Sequence, residues 1–264
     1  MLNKQAVMNL LNKINMIILC QLRNLWRFNL KALVIIPAFN EEENIVKTVN
    51  SLINIKISNV KLDYIIINDG SNDNTLDVIK KNKLKFIDLP FNLGIGGAVQ
   101  TGYKYALYKN YDIAIQFDGD GQHNPSYIES LIKELNNGCD LVIGSRYIEN
   151  NDTFKSTKYR RMGKNILSFL IKIFTSAKIT DPTSGFRACN KKIIKKFADN
   201  YPSDYPEPDT LVSILKDKYI VKEISVEMNE RAGGTSSITP IKAIYYMIKV
   251  SFSIIITAIS KREK

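Results

Sequence analysis

One repeated unit constrains the fold of this chain more than any other feature: a short apolar run, then a polar turn, then a segment with helical periodicity. The apolar runs begin near Ala32, Leu62, Phe86, Asp112 and Asp140. Short continuous apolar runs are typical of strands buried on both faces, and their alternation with helices is typical of parallel sheets. The sequence therefore predicts an α/β fold with a Rossmann-like, mostly parallel sheet that is covered by helices on both faces.

The most informative turn follows the fourth run and reads D-G-D-G-Q. Asp118 and Asp120 stand two residues apart at the carboxyl end of this predicted strand, where open α/β sheets bind their ligands. Two carboxylates, with the amide of Gln122, suit a hard cation such as Mg²⁺ or Mn²⁺ that is shared with substrate phosphates. A simple polar turn is the alternative, because Asp-Gly pairs form turns readily. An EF-hand is excluded, since His123 occupies the position that requires glycine and a strand leads into the motif.

Two further polar residues follow strands and are predicted to reach the same edge of the sheet. Asp69 follows the second run, where it can accept hydrogen bonds from a base or ribose; a turn with a helix cap is the alternative. Arg146 follows the fifth run, where its guanidinium can bind phosphate oxygens; a surface ion pair is the alternative. This edge therefore combines the groups that a phosphorylated, metal-bound ligand requires.

The glycines of N-L-G-I-G-G-A-V invite comparison with a dinucleotide-binding fingerprint. That pattern requires a glycine where Val99 stands, and no acidic residue follows at the expected distance. We interpret Gly94, Gly96 and Gly97 instead as positions where the backbone closely approaches a ligand or a neighbouring element. His123 is the one histidine of the chain, and we predict a turn or minor metal role for it rather than nucleophilic catalysis.

The distribution of charge favours a membrane surface over nucleic acid as a partner. The net charge is +11, but residues 153–180 and 231–262 together carry twelve basic residues and no acidic residue. Both segments are also apolar, which is typical of helices that lie on an anionic leaflet, and we predict no nucleic-acid binding. Packing as ordinary amphipathic core helices is the alternative. A bilayer span over residues 240–259 is disfavoured because Lys249 would lie near mid-depth.

Six motifs occur in the order V-I-I-P-A-F-N-E-E-E-N-I, I-I-I-N-D-G-S-N-D-N-T, N-L-G-I-G-G-A-V-Q-T-G, F-D-G-D-G-Q-H, G-S-R-Y and D-P-T-S-G-F-R-A. Together, over about residues 32–236, they resemble the family-two inverting glycosyltransferases of the GT-A fold. The most similar subgroup is that of the polyprenyl-phosphate glycosyltransferases related to dolichyl-phosphate mannose synthase. Members often carry large C-terminal transmembrane regions, which this sequence does not show, so the resemblance implies peripheral anchoring or anchoring by a partner.

Carried over motif by motif, the resemblance implies a role for each matching residue. It assigns nucleotide-sugar binding to Pro37, Ala38, Glu41, Asp69, Gly97 and Asp118. It assigns a Mg²⁺ or Mn²⁺ ion to Asp118, Asp120 and Gln122. It assigns catalysis to Asp120, Arg146 and Asp181, with Asp181 where the family often has its catalytic carboxylate. It assigns the acceptor phosphate to Arg187, Arg231 and Ser236.

The resemblance also implies three regions. Residues 1–30 form a basic, apolar leader, interpreted either as an amphipathic helix or as a loosely attached extension. Residues 31–236 form the GT-A catalytic domain, which includes an amphipathic, membrane-facing helix near residues 159–179. Residues 237–264 form a C-terminal amphipathic helix at the membrane interface.

The first functional hypothesis is metal-dependent transfer of a sugar, with UDP-sugars favoured as donors, to polyprenyl phosphate at the cytoplasmic face of a membrane, for cell-surface glycan synthesis. An acceptor phosphate is already anionic and needs little help from a base, whereas a sugar hydroxyl of a growing glycan, the alternative acceptor, would require Asp181 to take a proton. A catalytically silent nucleotide-sugar-binding subunit is the alternative from another class. The expected partners are the donor, the lipid acceptor, an anionic membrane surface and a small integral-membrane protein.

Overall fold

The computed structural model describes residues 30–148, 158–229 and 240–260. In this part of the chain the strands are Leu30–Ala38 (β1), Val60–Asn68 (β2), Phe86–Asp88 (β3), Ile113–Gln116 (β4), Leu141–Ser145 (β5), Arg187–Asn190 (β6) and Val221–Ser225 (β7). They form one sheet in the order β3-β2-β1-β4-β6-β5-β7. Neighbouring strands are parallel except at β6, which runs antiparallel to both β4 and β5. The predicted mostly parallel sheet is confirmed.

Helices cover both faces of this sheet. They are Ile45–Ile53 (α1), Thr75–Lys81 (α2), Gly94–Tyr108 (α3), Ile128–Asn136 (α4), Lys158–Thr175 (α5), Lys191–Asp199 (α6), Pro206–Lys216 (α7) and Pro240–Ile259 (α8). Along β1, Leu33 and Ile35 belong to the core on one face, while Val34 and Ile36 belong to the core on the other. All four side chains are fully buried. The apolar run is continuous because successive side chains alternate between two buried faces.

Helix α3 begins at Gly94, so the glycine-rich segment forms its first turn. A Cβ atom at Gly96 would lie 1.9 Å from the carbonyl oxygen of Pro202, and one at Gly102 would lie 2.2 Å from Ile35. The Gly96 amide donates to the carbonyl of Ser203 at 3.0 Å. Glycine is therefore required where the helix meets a neighbouring loop and the sheet.

Helices α5 and α8 each have one apolar face in the core and a second apolar face exposed. Leu167 and Ile171 of α5 are fully buried, as are Val250 and Ile254 of α8. The exposed stripes comprise Met162, Ile166, Phe169 and Ile173 on α5, and Ile248, Phe252, Ile256 and Ile259 on α8. The two helices touch where Gly163 faces the side chain of Met247. Two apolar stripes therefore lie on neighbouring helices.

The described segments 30–148, 158–229 and 240–260 contain no helix that is both long and apolar enough to cross a membrane. The predicted leader, apart from the first residue of β1, lies outside the described residues. The three-region division of the chain remains a prediction.

Candidate active site at the carboxyl edge of the sheet

The loop after β4 brings Asp118, Asp120, Gln122 and His123 together. His123 is almost completely buried, and its Nδ1 accepts a hydrogen bond from the Asp118 backbone amide at 3.0 Å. Its Nε2 lies 3.4 Å from Oδ2 of Asp118. The imidazole stacks on Phe186, with ring centroids 4.9 Å apart, and the backbone amide of Gln122 donates to Oδ1 of Asp120 at 3.1 Å. His123 therefore stabilises the conformation of the loop that contains both aspartates.

Burial sets the protonation of this loop. Removal of the imidazole from water lowers the pKa of His123 to about 4; the charges of Asp120 and Asp181 oppose this shift and that of Arg146 adds to it. The ring is therefore neutral near pH 7. Because Nδ1 accepts a hydrogen bond, the ring proton is on Nε2 and faces the Asp118 carboxylate. Burial also raises the pKa of Asp118, although the Gln116 side chain and the charge of Arg146 act in the opposite direction. A nearby cation would stabilise the ionised form of this carboxylate.

These side chains fit a divalent cation that is shared with a ligand. Among the residues that the structure describes, no group of three or more His, Cys, Asp or Glu side chains is arranged to hold a metal. The donor set is instead two carboxylates and one amide on a single loop, and the Asp118 side chain remains 38% exposed. Mg²⁺ and Mn²⁺ favour oxygen ligands, and Mg²⁺ commonly uses one or two carboxylates together with substrate phosphates.

Gly185 forms the wall beside the first aspartate. A Cβ atom at this position would lie 3.0 Å from Oδ2 of Asp118 and 3.0 Å from Nε2 of Gln116. The loop from Pro182 to Gly185 therefore packs directly against the metal-binding candidate, and only a residue without a side chain leaves its carboxylate undisturbed. Sequence reasoning included this glycine in a motif but assigned it no role.

Arg146 and Asp181 meet at the end of β5. Arg146 Nε lies 2.7 Å from Oδ2 of Asp181, and Nη2 lies 2.8 Å from Oδ1. The Arg146 backbone amide also donates to Oδ2 at 3.2 Å, and Asp181 is fully buried. Glu223 of β7 fixes this turn by accepting hydrogen bonds from the Thr180 and Asp181 amides at 2.7 and 2.8 Å. The geometry suits Asp181 as the support for Arg146, and sequence reasoning missed Glu223.

A stacked arrangement joins Arg146 to helix α5. Arg146 Cζ lies 5.6 Å from the centre of the Tyr147 ring. Lys164 of α5 lies near the same ring, with Nζ 4.5 Å from its centre. Cations near an aromatic ring interact with its π system. The Tyr147 ring therefore lies between Arg146, at the edge of the sheet, and Lys164, on the helix that carries an exposed apolar stripe.

Three of the predicted nucleotide-sugar residues, Pro37, Ala38 and Glu41, lie at or just after the carboxyl end of β1. A Cβ atom at Gly119 would lie 2.9 Å from the carbonyl oxygen of Pro37 and 3.7 Å from the Ala38 side chain. The Glu41 carboxylate accepts from Asn44 Nδ2 at 2.8 Å. Cγ of Glu41 lies 3.7 Å from the same Gly119 point, so the structure brings Pro37, Ala38 and Glu41 against the candidate metal-binding loop.

Asp69 is more enclosed than its predicted contact with a base requires. It is 3% exposed, its Oδ1 accepts from the Leu93 amide at 2.7 Å, and burial raises its pKa. Gly97 lies in the first turn of α3, where an added Cβ would meet the Leu93 side chain at 2.5 Å. Asp69 therefore anchors the loop that leads into α3, and roles for Asp69 and Gly97 in donor binding remain predictions.

The assignment of Arg187 to the acceptor phosphate is wrong. The side chain is 1% exposed, and it donates to the carbonyl oxygens of Ser184, Pro182 and Glu207 at 2.7, 2.9 and 2.9 Å. A guanidinium committed to protein carbonyls in the interior is not available to a substrate phosphate. Its role is to join the loop before β6 to the first turn of α7. Arg231 and Ser236 lie outside the described residues.

Glu207 and Gln116 are further residues that sequence reasoning missed. Gln116 Nε2 donates to Oε1 of Glu207 at 3.3 Å. Burial raises the pKa of Glu207, while the positive charge of Arg187 opposes this shift and the negative charge of Asp118 adds to it. The signal in the sequence was P-E-P-D, which places an acidic residue between two prolines at the start of a helix.

The chain is similar to known proteins in sequence and in fold. The family described as glycosyl transferase family 2 matches residues 33–198. The UDP-N-acetylglucosamine–dolichyl-phosphate N-acetylglucosaminyltransferase of Methanococcus voltae is 32% identical over 240 residues, which cover 81% of this chain and 94% of that protein. The dolichol-phosphate mannosyltransferase of Pyrococcus furiosus is 31% identical over 217 residues, which cover 79% of this chain and 59% of that protein.

A solved structure shows a similar fold. Glucosyl-3-phosphoglycerate synthase from Mycobacterium tuberculosis, in complex with Mn²⁺, UDP-glucose and phosphoglyceric acid, superimposes with a TM-score of 0.65 at 17% identity. The alignment covers 87% of this chain and 79% of that chain. The likeness extends over most of the architecture.

Proposed function

Because the chain belongs to glycosyl transferase family 2, we propose that it moves a sugar from a nucleotide-sugar donor to polyprenyl phosphate at a membrane surface. The matches confirm the predicted family and the GT-A-like fold. The names of the relatives from Methanococcus voltae and Pyrococcus furiosus describe transfer to dolichyl phosphate. The first of these names a UDP-sugar, which supports a UDP-sugar as the donor here.

One observation carries the proposal. The edge that holds Asp118 and Asp120 continues through Arg146 and Tyr147 to Lys164 on α5. That helix exposes an apolar stripe of its own. A phosphate joined to a long apolar chain requires both features side by side, because its head needs cations and its tail needs an apolar surface.

A divalent cation completes the donor site in this proposal. Asp118, Asp120 and Gln122 would hold Mg²⁺ or Mn²⁺, which supplies positive charge for the leaving diphosphate. The bond between the anomeric carbon and the diphosphate oxygen breaks, and its electron pair remains on the diphosphate. A phosphate oxygen of the acceptor forms the new bond from the opposite face, so the anomeric configuration is inverted. Arg146 adds a fixed positive charge beside the reacting groups.

The hydrogen bonds that Asp181 accepts from Arg146 favour phosphate over a sugar hydroxyl as the acceptor. Both carboxylate oxygens of Asp181 accept hydrogen bonds from Arg146, and the residue is fully buried. A carboxylate held in this way is poorly placed to take a proton from a hydroxyl group. An anionic phosphate needs no such base.

The lipid acceptor requires that the enzyme reach a membrane. The stripes on α5 and α8 are accompanied by Arg161, Lys164 and Lys172 on α5. Apolar faces rimmed by basic residues bind anionic bilayer surfaces. We therefore propose peripheral attachment at the cytoplasmic face, by these helices alone or together with a small integral-membrane protein.

Transfer to a defined lipid acceptor tests the function. The full chain is incubated with Mn²⁺, undecaprenyl phosphate in vesicles, and a panel of radiolabelled UDP-, GDP- and dTDP-sugars. We expect label to enter the lipid fraction, with a UDP-sugar as the best donor. Label found only on added glycan acceptors would support the hydroxyl alternative. If neither transfer nor donor hydrolysis is detected with any donor, that result would support the silent binding subunit.

A further inference from the structure

Glu207 is an acidic residue that the proposed mechanism does not use, yet the fold holds it beside the donor site. It is the second residue of α7. The preceding Tyr205 has a left-handed backbone with φ of 48°, and Pro206 and Pro208 on either side of Glu207 are buried. Prolines in a first helical turn fix the backbone without removing a needed hydrogen bond. The direction of this carboxylate is therefore set by the fold.

A second set of contacts, made by Arg187 and Thr210, fixes the same first turn of α7. Arg187 Nη1 donates to the Glu207 carbonyl oxygen at 2.9 Å, and Thr210 donates to the Pro206 carbonyl at 2.6 Å. The buried arginine is bonded in turn to Pro182 and Ser184. Glu207 and the loop that contacts Asp118 thus share one rigid support.

The carboxylate points toward the metal-binding candidates. Its Oε1 accepts from Gln116 Nε2 at 3.3 Å. The same Nε2 lies 3.0 Å from where a Cβ atom of Gly185 would stand, and Oδ2 of Asp118 is at the same distance from that point. Glu207, Gln116 and Asp118 therefore line one wall. The Glu207 residue remains partly exposed at this wall.

A partly exposed carboxylate at this wall suits the hydroxyl groups of a sugar. In the proposed function the diphosphate of the donor lies at Asp118 and Asp120, and the sugar is the next group along the donor. A carboxylate accepts hydrogen bonds only, and bonds from neutral donors to a charged acceptor are stronger than those between neutral groups. Sugar hydroxyls are such donors, and a site built to bind a hydroxyl rejects analogues that lack it.

We propose that Glu207 binds a hydroxyl group of the donor sugar and determines which sugar is accepted. The proposal rests on the proposed function, because it requires a nucleotide sugar at the metal site. It does not depend on the identity of the acceptor. The competing role is purely positional, in which Glu207 acts only by holding Gln116 and, through it, Asp118.

Binding measurements separate the two roles. With Mn²⁺ present, calorimetry gives the dissociation constants of the preferred nucleotide sugar, of its monodeoxy analogues and of the bare nucleoside diphosphate. For Glu207→Gln we expect about tenfold weaker binding of the nucleotide sugar, the scale of one charge-assisted hydrogen bond. Binding of the bare diphosphate should stay within about twofold, since it does not contact the carboxylate. Glu207→Ala should show the same selectivity with a larger loss.

The analogues and a control complete the test. The native chain should bind one monodeoxy analogue about tenfold more weakly than the parent sugar, and Glu207→Gln should remove that difference. Glu134→Gln, which alters a partly buried glutamate of α4 paired with Lys222, should change neither constant. Equal weakening of sugar nucleotide and bare diphosphate would overturn the proposal in favour of the positional role. The proposal would also be overturned if Glu207→Gln left the binding of the sugar nucleotide and of the bare diphosphate unchanged. A native chain that binds these two ligands equally would overturn it as well. Failure of transfer to polyprenyl phosphate would contradict the proposed function and leave these binding results intact.

Discussion

Arg146 and Asp181 form a bidentate ion pair, with Nε 2.7 Å from Oδ2 and Nη2 2.8 Å from Oδ1. The pair holds the guanidinium plane at the end of β5, beside the metal-binding loop. This geometry suits Asp181 as the support for Arg146. The catalytic role that the motif implied for Asp181 remains a prediction.

The first prediction concerns this pair. Asp181→Asn should lower turnover by about 10- to 100-fold, because a carboxamide holds the guanidinium less well than a carboxylate does. The pH–rate profile should keep its shape, since no proton passes to this residue. Asp140→Asn is a matched control at the other end of β5, where the carboxylate binds Asn190 and the Ile220 amide; it should affect stability and leave turnover near normal. Loss of the acidic, low-pH limb of the profile in Asp181→Asn would favour a hydroxyl acceptor, because protonation of a general base produces that limb.

The second prediction concerns the cation. Asp120→Ala should lower turnover by roughly two to three orders of magnitude, the scale seen when one charge-stabilising group is removed. EDTA should abolish activity, and added Mn²⁺ should restore it. Asp77→Ala, an exposed aspartate in α2, should behave like the native chain. Near-normal turnover of Asp120→Ala, or full activity in EDTA, would contradict the metal role.

The third prediction uses the contact at Gly185. Gly185→Ala should weaken Mn²⁺ binding by about 10- to 100-fold, because the new methyl group, 3.0 Å from each, forces small shifts of the Asp118 carboxylate and the Gln116 side-chain amide. Gly138→Ala is the control: nothing lies within 4 Å of its added Cβ, but its φ is +104°. That variant should lose stability without losing Mn²⁺ affinity. Unchanged Mn²⁺ affinity of Gly185→Ala would show that Asp118 and Gln116 accommodate the methyl group, and would contradict this prediction.

The fourth prediction concerns pH. Burial keeps the pKa of His123 at about 4, against 6.5 for an ordinary histidine. Between these values the unfolded chain binds a proton that the folded chain does not, so stability falls as pH decreases from 6.5 to 4. Urea unfolding in EDTA should show that the native chain loses roughly 3 kcal/mol more over this range than His123→Gln does. Parallel curves for the two proteins would contradict this linkage.

The fifth prediction concerns the exposed stripes. Phe169 and Phe252 are 63% and 62% exposed, so replacing both with serine should change stability by less than about 0.5 kcal/mol each. Binding to anionic vesicles should nevertheless weaken by about tenfold or more, and added salt should weaken it further. Tyr108→Ser, at an 81% exposed position on α3, is the control. Equal flotation of all three proteins with vesicles would exclude these helices as the attachment surface.

Four strands of the sheet were predictable because each is marked by residues that are adjacent in the sequence. The strands β1, β2, β4 and β5 are apolar runs that end in polar turns, and parallel strands place their carboxyl ends at one edge. Asp118, Asp120 and Arg146 could therefore be grouped without coordinates. The exposed and buried apolar residues of α5 and α8 could not be separated, since periodicity alone does not say which face the core covers.

The remainder depended on tertiary contacts. Strand β6 is four residues long and contains a buried arginine, so its place in the sheet follows from pairing with β4 and β5 rather than from its own sequence. The charge of Arg187 suggested contact with substrate, but its side chain bonds the preceding loop at Pro182 and Ser184 and the distant Glu207 carbonyl. Glu223 gave no motif signal, because its role arises from where β7 brings it, and P-E-P-D marked Glu207 only as an acidic residue at a helix start.

The two-faced construction of α5 and α8 has an evolutionary consequence. The residues that hold these helices in the core are not the residues of the outer stripes, so the outer residues can mutate at little cost to folding. In the proposed attachment, adaptation to a bilayer of different lipid composition would then need only a few substitutions at the outer stripes. Selection can thus tune where this enzyme works independently of the chemistry it performs.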